Sequence, residues 1–146
     1  MLRILIVFSI VFGLAESNEV CNIGIEPFIV AQKPDTSYQD ITVHRALHLI
    51  KRNRYNPDFV VLDVRRGDEY AEGHLPNAIN INYKDSGFEQ QLDSLDRNKT
   101  YLVYCVAGYR SKKTQRFMQS MGFTSVINMK GGIMKWKRKK YPIETM

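Results

Sequence analysis

Cysteine is nearly absent: Cys21 and Cys105 are the only two in 146 residues. That excludes a fold held by disulfide staples, and a chain of this length can bury a core without them. Histidine is nearly as scarce, at three residues. His44 and His48 share one side of a helix at i, i+4 spacing, but no nearby cysteine or carboxylate completes a ligand set. They are read as exposed residues, and no metal is expected. The sequence has no internal repeat and no low-complexity stretch. It also lacks a nucleic-acid-binding motif, although the formal charge is +6. The basic residues gather in Lys112, Lys113 and Arg116 and in Lys135 to Lys140, which read as solvated helix faces, so no nucleic-acid partner is expected. A basic field near Cys105 would instead attract small anions. What remains, 44% hydrophobic and 25% charged residues, is the composition of a soluble globular domain.

Long apolar runs are absent except at the start. Arg3 precedes a nearly continuous run from Ile4 to Leu14, with small residues after it. The run is short for a bilayer and suits a signal peptide over residues 1–17. A polar arm over 18–36 and a folded domain over 37–146 would follow. The expectation is export, to the periplasm or outside the cell, with no stable membrane insertion after cleavage. An uncleaved signal anchor is the alternative. Cys21 lies in the polar stretch from Asn18 to Asp40 and is not preceded by a lipobox. It reads as an unpaired arm residue, a resolving thiol or a link to another protein; pairing with Cys105 would silence that thiol. Asn98-Lys99-Thr100 is a glycosylation sequon, relevant only in a host that glycosylates exported proteins.

The remaining chain alternates between helical and strand patterns. Ile41 to Asn53 predicts a helix, with Val43, Ala46, Leu47 and Ile50 on one face and Thr42 as cap. Phe59 to Asp63 is a continuous apolar strand, of the kind buried on both faces. A short helix over Gly67 to Glu72, a strand at Ala78 to Ile81 and a helix over Phe88 to Leu95 follow. Lys99 to Tyr104 reads as another buried strand, Ser111 to Met121 as an amphipathic helix and Ser125 to Met129 as a further strand. Gly131-Gly132 then opens a last helix bearing Trp136. This alternation predicts an α/β fold, a parallel central sheet with helices on both faces. Such folds carry their sites at the carboxyl ends of strands, where Asp63 and Cys105 both fall.

Cys105-Val106-Ala107-Gly108-Tyr109-Arg110-Ser111 is the segment richest in chemistry. A cysteine on a tight loop between a strand and a helix meets converging backbone N–H groups, which favour thiolate over thiol. Gly108 permits a left-handed turn or a close backbone approach, and Arg110 adds a fixed cation at the rim.

These motifs together resemble a single-domain rhodanese, a sulfurtransferase module. Asp63-Val64-Arg65, Glu69-Tyr70 and Gly73-His74-Leu75-Pro76 through Ala78-Ile79-Asn80-Ile81 are similar to its first signature, and Cys105-x-x-Gly108-x-Arg110-Ser111 to its active-site loop. Gly131-Gly132-x-x-x-Trp136 through Pro142 is similar to its C-terminal signature. Val106 departs from the pattern, since active members often carry a basic residue after the cysteine. Cysteine phosphatases of similar fold use a loop one residue longer, which suits a phosphate better than a single sulfur. The resemblance implies that Cys105 takes sulfur from a small anionic donor such as thiosulfate, holds it as a persulfide, and passes it to cyanide or a thiol. Val106, Ala107, Gly108, Tyr109, Arg110 and Ser111 would form the persulfide-binding loop, with no cofactor. Arg110 would either orient the donor or brace the loop. Asp63, Arg65 and Glu69 are expected to support the loop floor, and His74 to be a hydrogen-bonded turn residue. The rival readings are a non-enzymatic sulfur-carrier or interaction module, and a thiol-redox protein pairing Cys21 with Cys105 and acting on a protein partner.

Overall fold

The computed structural model describes residues 37–146; the expected signal segment, the arm over 18–36 and Cys21 lie outside the described residues. Five strands form one parallel sheet, and the order is set by which apolar runs pair. These strands are β1 (Asp40–Ile41), β2 (Phe59–Asp63), β3 (Ala78–Asn80), β4 (Thr100–Tyr104) and β5 (Ser125–Met129), arranged β1-β5-β4-β2-β3. β4, buried from Tyr101 to Tyr104, sits between β2 and β5, with Leu62 opposite Val103 and Tyr101 opposite Val126. Both faces are covered, as the continuous apolar runs require. On one face α1 (Val43–Arg52) and α5 (Gly132–Arg138) bury Val43, Ala46, Ile50, Ile133 and Trp136 against Val61, Leu102 and Ile127. On the other, α3 (Phe88–Asp93) and α4 (Tyr109–Ser120) bury Phe88, Leu92 and Met118 against Leu62, Val103 and Val126. The fifth helix, α2 (Gly67–Ala71), follows β2 and packs Tyr70 against the first core.

The first predicted helix is corrected at its start. Thr42 does cap it, accepting from the Arg45 N–H at 3.3 Å. Ile41, however, is a strand residue beside Met129, and the polar stretch does not stay separate as far as Asp40. Ser37 and Gln39 offer their carbonyls to Val126 and Asn128, so the segment before α1 joins the sheet edge at β5. A helical pattern beginning at Val43 cannot report this, because an edge strand of two residues has no period. The helix expected from Ser111 starts two residues earlier, at Tyr109. Its buried face is largely polar: Ser111, Thr114 and Gln115 are buried beside Met118. Each finds partners; Gln115 donates to the carbonyls of Gln39 and Val126 at 3.0 and 2.8 Å. Lys112 is likewise not a purely solvated residue, since it reaches Asp40 at 2.8 Å.

Candidate active site

Cys105 leaves the carboxyl end of β4 and is 2% exposed. The loop turns at Gly108, whose φ of +100° suits a residue without a side chain. A Cβ there would also press on the backbone N of Gly131 at 3.2 Å. The turn folds the following N–H groups back towards the sulfur, and Gly108 N–H donates to Cys105 Sγ at 3.2 Å. The Ser111 hydroxyl stands 3.6 Å from the same sulfur. Burial opposes ionisation of Cys105. The N–H groups of Ser111, Gly108 and Ala107 outweigh it and hold the thiol below its ordinary range. Val106 and Arg110 complete the loop half-buried, while Tyr109 points outwards, 70% exposed beneath the Lys113 ammonium.

The carbonyls of the loop have to be turned away for its N–H groups to face inwards, and α5 does this. Ile133 N–H donates to Cys105 O at 2.9 Å, and Met134 N–H to Val106 O at 3.1 Å. The first turn of a helix has free N–H groups, so the doublet Gly131-Gly132 delivers two donors to the loop from a segment far along the chain. Contact is so close that a Cβ on Gly132 would lie 2.2 Å from Cys105 O and 2.3 Å from Val106 O. Sequence reasoning saw the doublet as a helix start; its part in shaping the loop appears only in three dimensions.

The residues expected to support the loop make their contacts along two routes. Asp63 and Arg65 form a buried pair, with Arg65 Nη2 at 2.6 Å from Asp63 Oδ2 and at 2.8 Å from the Gly73 carbonyl. The Arg65 guanidinium also lies over the Tyr104 ring, and Asn80 donates to the carbonyls of Asp63 and Arg65, both at 3.0 Å. This ties the end of β2 to the Gly73-His74-Leu75-Pro76 turn and to the residue before the nucleophile. His74 is the hydrogen-bonded turn residue expected: it is buried, and exchanges backbone bonds with Glu144 at 2.8 and 2.9 Å. Glu69 takes the second route. It accepts from the Arg66 N–H at 3.1 Å and from Arg110 Nη1 at 3.4 Å. Burial raises its carboxyl, but these donors outweigh that and leave it below the ordinary value. Arg110 thus pairs with α2 through Glu69.

Arg66, Glu69, Lys84 and Arg110 line an open mouth of about 380 Å³ beside the loop. Lys84 makes no ion pair among the described residues, so the mouth presents more positive than negative charge. Lys84 lies in a connecting segment with no motif, and nothing in the sequence pointed to it. Asn128, also missed, sits on β5 and accepts from the Ser111 hydroxyl at 2.7 Å.

Comparison with known proteins agrees with this geometry. The profile of the rhodanese-like domain matches residues 42–139. "Putative sulfurtransferase YtwF" of Bacillus subtilis (strain 168) is 33% identical over 85 residues, which is 58% of this chain and 80% of that protein. The tRNA uridine(34) hydroxylase of Yersinia enterocolitica is 34% identical over 103 residues, but the chain spans only 29% of its length. The crystal structure of a rhodanese-related protein from Thermoplasma volcanium superposes with a TM-score of 0.61 at 30% identity, covering 75% of this chain and all of that one. With its parallel sheet, its cysteine loop and its closing glycine doublet, this chain belongs to the rhodanese-like domain family.

Proposed function

We propose that the chain is a thiosulfate-type sulfurtransferase working by double displacement at Cys105. The observation that carries this reading is the ring of N–H groups around a buried sulfur, with the two nearest carbonyls withdrawn by α5. The Cys105 thiolate attacks the outer sulfur of thiosulfate. A new S–S bond forms, the old S–S bond breaks, and sulfite leaves with the bonding pair. The terminal sulfur of the persulfide then carries the negative charge, where the loop N–H groups stabilise it. Cyanide or a thiolate attacks that sulfur, and the Cys105 thiolate is regenerated. No step calls for a general base among Asp63, Arg65 and Glu69, which hold the loop. The cationic mouth of Arg66, Lys84 and Arg110 fits an anionic donor.

The likeness to the hydroxylases is confined to less than a third of their length, so the loop chemistry weighs more in this reading. Cys105→Ser is expected to abolish thiosulfate-to-cyanide transfer, and Cys21→Ser to preserve it. Thiosulfate-treated protein should gain about 32 Da, one sulfur atom, on the peptide containing Cys105. Sulfur mapped to Cys21, or turnover by Cys105→Ser, would overturn the mechanism; a persulfide that no acceptor discharges would favour a carrier module. We extend the proposal to export of the domain over 37–146 after removal of residues 1–17, which N-terminal sequencing of extracytoplasmic material would test.

A further inference from the structure

Behind Cys105 a line of polar side chains runs away from the mouth. Ser111 Oγ is 3.6 Å from Cys105 Sγ and 2.7 Å from Asn128 Oδ1. Asn128 Nδ2 is 3.1 Å from Asp40 Oδ1, and Asp40 is also paired with Lys112 at 2.8 Å and with Lys130 at 3.6 Å. Ser111 is fully buried and Asn128 2% exposed, so water does not compete between them. The Arg110–Glu69 pair is the charged group on the other side of the loop, and the Asp63–Arg65 pair lies buried at the neighbouring strand end.

The ordering of protons along this line follows from chemistry. An ionised carboxylate only accepts, so the Asn128 amide must turn its NH₂ to Asp40 and its oxygen to Ser111. That oxygen also only accepts, so Ser111 must be the donor there. A hydroxyl has one proton. While it is given to Asn128, Ser111 can offer Cys105 only a lone pair, which suits a thiol S–H and not a thiolate. We propose that Asn128, oriented by Asp40, is a positioning residue that competes with Cys105 for the single proton of the Ser111 hydroxyl. Loss of the Cys105 proton to solvent then forces a choice. Either the hydroxyl rotates to the sulfur and leaves the buried Asn128 oxygen unpaired, or it stays and presents its lone pair to an anion. Once Cys105 carries sulfur, its Sγ is a neutral bridging atom, and the hydroxyl can return to Asn128. The competition for the Ser111 proton is thus felt only while Cys105 is charged. This deepens the proposed function at the same site and rests on the thiolate being the working form of Cys105.

The test reads the thiol itself and needs no sulfur donor, so its failure is separate from failure of the sulfurtransferase reading. In full-length protein carrying Cys21→Ser, the rate of Cys105 alkylation by iodoacetamide is followed against pH. Asn128→Leu, close to Asn in size and without an acceptor, frees the Ser111 proton for the sulfur. Alkylation below the midpoint of the titration is expected to quicken about threefold to tenfold, the worth of one hydrogen bond. The midpoint should move to lower pH. In a Ser111→Ala background the same Asn128→Leu change should have no effect, because no hydroxyl proton remains to be released. Should Asn128→Leu fail to fold, as judged by its melting transition, Asn128→Ala in both backgrounds gives the same comparison. An unchanged or slower rate with Ser111 present overturns the proposal. So does an equal acceleration in both backgrounds, which would show that Asn128 acts on Cys105 other than through the Ser111 proton.

Discussion

Replacing Gly132 by alanine adds one carbon at the tightest backbone contact of the site. The new Cβ would lie 2.2 to 2.4 Å from Cys105 O, Val106 O and Val106 C, all of them backbone atoms with no side chain to swing aside. The loop or the start of α5 therefore has to retreat. Gly132 also has a φ of +54°, which costs an alanine about 1–2 kcal/mol. Retreat breaks the bonds from Ile133 N–H and Met134 N–H to the loop carbonyls, each contributing about 0.5–1.5 kcal/mol. Gly132→Ala should thus destabilise the domain by about 2–5 kcal/mol, a fall in melting temperature of about 8–20 °C for a domain of this size. Because a misplacement near an ångström costs roughly a hundredfold in catalysis, sulfur transfer should fall at least that far. Gly67, with open space where its Cβ would go, is the control, and Gly67→Ala should be neutral or slightly stabilising, by up to about 1 kcal/mol. Thermal denaturation and the rate of Cys105 alkylation report the two effects. If Gly132→Ala melts with wild type and its cysteine reacts at the wild-type rate, α5 does not shape the loop as argued.

Arg65→Met leaves the fully buried Asp63 carboxylate without its partner, and should cost about 3–5 kcal/mol in urea titration; Asp63→Leu combined with Arg65→Met should recover much of that. A single variant that is no less stable than the double would refute the lock at the end of β2. Glu69 and Asp40 are both held below their ordinary carboxyl values, 4.5 and 3.8, so their contribution to stability is present above those values and is lost as pH falls through the lower folded ones. Urea midpoints should therefore drop between neutral pH and about pH 3.5, and drop less in Glu69→Gln and Asp40→Asn. Identical acid dependence in all three proteins would refute the assignment.

The sheet was legible because β2, β4 and β5 are apolar runs of strand length separated by helical segments, and burial on both faces imposes that pattern. Cys105 was legible for a local reason: the turn that gathers N–H groups around it is written in consecutive residues, with Gly108 at the position of positive φ. What sequence reasoning missed is carried by residues whose partners are distant. Asp40–Ile41 gains its strand character only by pairing with β5. Asn128 looks like a flaw in an apolar strand until Ser111 and Asp40 are placed on either side of it. Arg110, for which two roles stood open, pairs with Glu69, which lies 41 residues away in sequence and 3.4 Å away in space.

The claim of α5 on the carbonyls of Cys105 and Val106 has a consequence for when the thiol becomes reactive. Strand, cysteine and loop are all present once the chain has reached Lys130, yet nothing then holds those two oxygens outwards. A chain stopped at that point already has Gly108 and Ser111 beside the sulfur, but it lacks the two bonds that fix the loop around them. Full reactivity should appear only when residues 131–134 dock, which would make it a chemical reporter of the domain's completion. The same coupling runs backwards on unfolding. Local opening of the last helix would free the loop and Trp136 together, so alkylation kinetics should sense it alongside indole fluorescence and earlier than amide exchange in β2 and β4.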